Sequence, residues 1–206
     1  MSQPIQEVFF TEPQIQSAIE QMARSIEVWL GENKTNVLNL VSVLEGARTL
    51  TVDLTGRLQK MAPGLRIKIF EIRVRGTDGQ ALLADRKIEG SLDWEALCLH
   101  SVLIVDDLVD SGKTLQKLKG QLLEKGIEEV RTAVLIRKFG IQALPGQSVH
   151  VDFLGLELNL DPQSLAQKGF RDCWLYGYGM DLDGRNRDLK RVEGVYLPLE
   201  KTTVFF

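Results

Sequence analysis

The stretch from Val102 to Leu115, VLIVDDLVDSGKTL, constrains the fold more than any other part of the chain. Val102, Leu103, Ile104 and Val105 form a short aliphatic run of the kind found in strands buried on both faces, in sheets covered by helices on each side. The run stops at two carboxylates, Asp106 and Asp107, and a third, Asp110, follows closely. After Ser111-Gly112-Lys113-Thr114, the residues Leu115, Leu118, Leu122 and Leu123 recur at helical spacing up to a stop at Gly126. The order is strand, acidic turn, hydroxyl-glycine turn and helix. In an open α/β sheet such a unit places its ligand at the strand's carboxyl end.

A helix N-terminus presents unpaired N–H groups and the positive end of a dipole, so Ser111 to Thr114 predict a phosphate site. Carboxylates beside a phosphate repel it unless they face sugar hydroxyls or a hard divalent cation such as Mg²⁺. One ligand carrying a phosphate, a ribose and a metal-bound anion satisfies all of these groups, and phosphoribosyl pyrophosphate is such a ligand. A Walker A loop fails, because the glycine it needs five positions before Gly112 is Asp107 here. A receiver domain ends its first strand in Asp-Asp, whereas this pair lies mid-chain.

The 206 residues are long enough to bury a core of ordinary size, and 1–206 is read as a single domain. With 44% hydrophobic and 26% charged residues, the composition is that of a soluble globular protein, and no apolar run approaches the roughly 18 residues of a membrane helix. A net charge of -3 offers no basic surface for sequence-independent nucleic-acid binding. Cys98 and Cys173 lack a CxxC spacing, and the chain opens without a basic, apolar leader, so a cytoplasmic location is expected. His100 and His150 are isolated, which argues against a zinc site.

Thr11 and Gln14 have the spacing of a capping box ahead of Ile15, Ile19, Met22, Ile26 and Leu30, predicting a helix over 12–30 that ends at Gly31. Val37 to Leu44 reads as a buried strand, Leu50, Leu54, Leu58 and Met61 as one helix face, and Arg66 to Val74 as a strand nearer an edge. Residues 75–91 show no periodicity and read as a long loop of the kind that forms lids. Further strands are expected at Val130–Ile136, Val151–Leu158 and Trp174–Tyr178. Strands alternating with helices predict an α/β fold. The expectation is a doubly wound, mainly parallel five-stranded sheet flanked by helices, with a small hood contributed by 1–10 and 151–206.

The central stretch closely resembles the phosphoribosyl-pyrophosphate signature of type I phosphoribosyltransferases. Three flanks resemble the hypoxanthine-guanine phosphoribosyltransferase family in order: Val8 to Ile26 its opening helix, Ser42 to Leu54 its pyrophosphate loop, and VDFLGLEL (Val151 to Leu158) with YGYGMDLDGRNRDL (Tyr176 to Leu189) its base-binding strand and C-terminal loop. The resemblance implies a Mg²⁺-dependent glycosyltransferase of purine salvage, moving 5-phosphoribosyl from phosphoribosyl pyrophosphate to hypoxanthine or guanine and assembling as a homodimer or homotetramer. It casts Asp110 as the general base at the purine N7. Asp106 and Asp107 would hold the ribose hydroxyls and organise Mg²⁺ together with Asp161, and Ser111, Gly112, Lys113 and Thr114 would bind the 5′-phosphate. Leu44, Glu45 and Gly46 would form the pyrophosphate loop, with Arg187 reaching the same anion. Phe153 would stack on the base with the Leu154 backbone at its Watson-Crick side, and Lys138, in preference to Arg137, would donate to the 6-oxo group.

Two positions depart from the family's pattern. Glu45 stands where a basic or neutral polar residue is usual, and Val74-Arg75-Gly76-Thr77 lacks the Ser-Tyr pair of the lid. The alternatives are a regulatory protein that binds phosphoribosyl pyrophosphate or a nucleotide, and a phosphoribosyltransferase for another base.

Overall fold

The computed structural model describes residues 5–75, 87–90, 92–139 and 150–199. β1 (Gln6–Phe10) leads into α1 (Glu12–Glu32), where Gln14 Oε1 accepts from the Thr11 N–H at 2.9 Å and from its hydroxyl at 2.8 Å. There follow β2 (Val37–Leu44), α2 (Ala47–Met61), β3 (Arg66–Arg75), β4 (Lys87–Glu89), α3 (Trp94–Cys98), β5 (Ser101–Val109) and α4 (Lys113–Glu124). β6 (Val130–Phe139), β7 (Phe153–Asn159), α5 (Pro162–Gln167), β8 (Phe170–Tyr176) and β9 (Val192–Pro198) complete the described chain.

The main sheet has the order β4-β3-β2-β5-β6-β7, parallel throughout except for the short antiparallel edge strand β4. Alternation along β5 divides the interior into two layers. Leu103 and Val105 join the core that α1 and α2 cover through Ile15, Ile19, Leu50 and Leu54. Val102 and Ile104 join the one covered by Leu97 of α3 and Leu115, Leu118 and Leu122 of α4. The sheet is therefore doubly wound, as expected. Leu123, read as part of the α4 stripe, is 47% exposed, because one step past Leu122 turns the side chain off the packed face. Gly31 does not end α1, which runs on to Glu32.

β2 and β5 are neighbours from which the chain winds in opposite directions, β2 through α2 to β3 and β5 through α4 to β6. Such a switch point opens a crevice at the carboxyl ends of the strands. A second, antiparallel sheet of order β1-β9-β8 stands beside it as the hood. β7 pairs with β6 in the main sheet, so the C-terminal share of the hood is β8 and β9 rather than the whole of 151–206. Of the loop over 75–91 read as a lid, residues 76–86 and 91 lie outside the described ones.

Candidate active site

The period of two that sorts the core also sorts the acids at the end of β5. Asp106 borders a cavity of about 210 Å³ whose rim includes Ser111, Gly112, Lys113 and Thr114. Gly112, at φ 69°, takes the left-handed turn into α4, whose first-turn N–H groups have no partners within the helix. Asp107 borders a larger cavity of about 350 Å³, together with Glu45, Gly46, Asp110, Lys138 and Arg187. Burial drives the Asp106 carboxyl well above the usual range, and the charge of Asp107 adds to this. Asp107 is also raised by burial, against the lowering effects of its hydrogen bond with Asp106 and of the Arg187 charge. Two acids this close and this dry are stable as an ionised pair only opposite a cation or several hydroxyl donors.

Lys138 occupies the wall next to them, 6% exposed. Its ammonium lies 3.1 Å from Asp110 Oδ2 and 3.1 Å from Asp172 Oδ1, and donates to the Cys173 carbonyl at 3.3 Å. Burial lowers its pKa, yet the two carboxylates outweigh burial and leave it raised, so the ammonium stays charged. Asp110 Oδ1 is buried with no hydrogen-bond partner among the described residues, a free acceptor beside the only partly used carboxylate. Arg137 points elsewhere: it is 3.7 Å from Glu157 and lies over the Phe139 ring at 5.4 Å.

Glu45 and Gly46 form the turn that joins β2 to α2. A Cβ on Gly46 would fall 1.8 Å from Asp107 Oδ2, so glycine is what lets this loop meet the acid. Gly179, at φ 99°, seats the C-terminal loop on the same turn, where a Cβ would fall 2.2 Å from the Gly46 carbonyl. Arg187 is held in that loop by donating to the Gly179 carbonyl at 2.6 Å and pairing with Asp181 at 2.7 Å. Tyr178, buried, donates its hydroxyl to Asp53 of α2 and fixes the loop to the core. Glu45 turns its carboxylate to Arg73 of β3, 2.6 Å away.

Three expectations are corrected. Phe153 opens β7 opposite Ala133, at the amino-terminal end of parallel strands whose carboxyl ends carry the site, and packs on Trp29 with ring centroids 5.6 Å apart. Leu154 pairs with Val134 at that same end. Asp161 caps α5, accepting from the Ser164 N–H at 2.8 Å, and does not line the cavity. Four residues were missed. Asp172, Trp174 and Leu175 of β8 and Asp181 beyond it line the cavity that Phe153, Leu154 and Asp161 do not. Trp174 is 53% exposed, with its ring N–H donating to the Asp181 carbonyl at 2.9 Å. The signal was present in the sequence: Asp172 and Trp174 stand just before the loop YGYGMDLDGRNRDL, which contains Asp181.

Paired acids at the switch point and a lysine-carboxylate wall lie together at the carboxyl ends of the strands, and the chain belongs to the phosphoribosyltransferase family: residues 12–145 match the model of the phosphoribosyl transferase domain. It is 26% identical to the hypoxanthine-guanine phosphoribosyltransferase of Dictyostelium discoideum over 191 residues, covering 89% of this chain and 91% of that protein. Identity to the enzyme of the same name from Mycobacterium avium is 28% over 199 residues, covering 91% of this chain and 84% of that one. In fold it resembles a hypoxanthine phosphoribosyl transferase of Trypanosoma cruzi, with a TM-score of 0.76 at 22% identity over 96% of this chain and 93% of that one.

Proposed function

We propose that the protein transfers 5-phosphoribosyl from phosphoribosyl pyrophosphate to a 6-oxopurine, hypoxanthine or guanine, in purine salvage, releasing pyrophosphate and IMP or GMP. The observation that carries the reading is the Lys138 ammonium beside the half-unpartnered Asp110 carboxylate. A 6-oxopurine presents the matching edge, a carbonyl acceptor next to a ring nitrogen that gives up a proton. Trp174 supplies the stacking face that the sequence reading gave to Phe153, since its ring borders the cavity and is half exposed.

Asp110 takes the proton from N7 as N9 attacks the anomeric carbon of the sugar and the bond from that carbon to the pyrophosphate oxygen breaks. Asp106 and Asp107 hold the ribose hydroxyls, and the amides from Ser111 to Thr114 hold the 5′-phosphate. Leu44 to Gly46 receive the pyrophosphate through their backbone, with Arg187 as its cation. Mg²⁺ keeps several waters and takes few carboxylates, so a pair of acids on the cavity suits it. Asp107 and Asp181, on the cavity, are the residues that would hold it, and it would neutralise the departing pyrophosphate. No described helix is long and apolar enough to cross a membrane, and a cytoplasmic homodimer or homotetramer fits this reading.

Pyrophosphate release measured with hypoxanthine, guanine, xanthine and adenine tests the proposal. Turnover is expected with the oxopurines and not with adenine, whose 6-amino donor would face the Lys138 donor. Turnover with adenine alone would overturn it.

A further inference from the structure

An ammonium has three protons to donate, and in this site all three are taken: by Asp110, by Asp172 and by the Cys173 carbonyl. Lys138 can therefore serve a new acceptor only by giving up one of these. The Cys173 carbonyl belongs to β8, paired in register with Tyr196 of β9, and cannot withdraw without breaking the hood. Asp172 is fixed twice. Its Oδ1 accepts from the Cys173 N–H at 2.7 Å, and it follows the register slip between Phe170 and Asp172 that turns this part of β8 inward. Asp110 sits on the turn between β5 and α4, and one of its oxygens has no hydrogen-bond partner among the described residues. Asp110 is the partner that yields.

We infer that Asp172 is a positioning residue for the base, the lasting counter-ion that keeps Lys138 charged and aimed while Asp110 is handed over to the purine. This rests on the proposed 6-oxopurine reading. With two carboxylates on one ammonium, Asp110 keeps an acceptor for the purine proton instead of being locked in a closed one-to-one pair. Without Asp172 the lysine has Asp110 as its one anionic partner and holds it, so the incoming base must break a full ion pair. The 6-oxo group is then recognised poorly, while sites for the sugar phosphate are untouched. The assignment explains why an acid unconnected to phosphate, ribose or leaving group is built into the wall of the crevice.

The test uses Asp172→Asn, which keeps the shape and the acceptor for the Cys173 N–H, and Asp172→Glu, which restores the charge. KM for hypoxanthine is expected to rise about tenfold or more in the asparagine variant, the effect of weakening a hydrogen bond to a charged group. KM for phosphoribosyl pyrophosphate should stay unchanged, binding of unsubstituted purine, which lacks the 6-oxo group, should hardly move, and the glutamate variant should recover part of the loss. Equal losses for both substrates, or an unchanged hypoxanthine KM in a variant that melts as the wild type does, would overturn the inference. If the asparagine variant does not fold, Asp172→Ser, which is also neutral and keeps an acceptor near the Cys173 N–H, decides: a selective rise in hypoxanthine KM supports the inference, and wild-type values refute it. A wild type that turns over no 6-oxopurine would sink the functional reading instead.

Discussion

At the amino-terminal end of the parallel strands, Asp152 is nearly buried and accepts from the Thr132 N–H at 2.9 Å, from its hydroxyl at 2.8 Å and from Arg131 at 3.0 Å. Lys119 lies 3.6 Å away. Burial alone would raise its pKa, but the hydrogen bonds from Thr132 and Arg131 outweigh burial and hold it below the usual value. At the carboxyl-terminal end of the same sheet, burial wins at Asp106 and Asp107, and Asp110 keeps an unpartnered oxygen. One end has satisfied its acid and built a strut; at the other, burial raises the acid pair and one oxygen of Asp110 has no hydrogen bond among the described residues. Acids that burial holds above their usual range, rather than the presence of carboxylates as such, separate this end from the one where Asp152 is held below it.

The largest effect should come from the carboxyl-terminal end. Asp110→Asn is expected to cut turnover by about 10²–10⁴, the usual contribution of a general base, with the melting temperature nearly unchanged. Steady-state pyrophosphate release checks this, and full activity would remove Asp110 from the chemistry. Two aromatic truncations then set the ends against each other. Phe153→Ala should lower stability by about 3 kcal/mol, the lower limit for a truncated phenylalanine, and leave the nucleotide dissociation constant alone. Trp174→Ala should weaken nucleotide binding by about 1–3 kcal/mol with little loss of stability. The reverse pattern would restore Phe153 to the base.

Asp152→Asn probes the strut by pH. Because the folded pKa is depressed, the stabilisation is present above the ordinary value of 3.8 and is lost as pH falls through the folded value. The variant should start less stable near neutrality and lose less on acidification, as melting curves from pH 7 downward would reveal. The smallest change is expected at Glu45, whose exposed pair with Arg73 contributes about 0–1 kcal/mol. Glu45→Lys should leave pyrophosphate affinity unchanged or modestly tighter. A marked loss that added Mg²⁺ restores would put Glu45 in the metal shell.

The positions of the paired acids and of the candidate phosphate turn were legible in the sequence because they are contiguous, one strand end and one turn. Lys138 was legible through residue type, while Arg137 beside it was excluded only when the strand showed which side chain faces the cavity. Phe153 was misplaced for a reason of direction. A residue that opens a parallel strand lies at the far end from a site built on carboxyl ends, and the sequence did not say that β7 runs parallel to β6. Asp161 stands before Pro162 and three residues before Ser164, the spacing of a helix cap, and that local explanation sufficed. Asp172 and Trp174 stand just before the C-terminal loop motif, a signal of place, but the side each presents to the cavity depends on the pairing of β8 with β9.

That pairing gives the hood a consequence for assembly. The floor of the crevice closes over short spans of chain, from β5 to α4 and from β2 to α2. The wall proposed to read the base is different: β8 rests on β9, β9 rests on β1, and Tyr196 donates its hydroxyl to Glu7 across 189 positions. Closing a loop of that length costs more conformational entropy than any contact within the floor, and the cost must be met before the wall yields its contacts. The part of the pocket proposed to choose among bases thus depends on the most distant pairing in the hood, so loosening β1 should blunt the choice of base before it weakens the grip on phosphate.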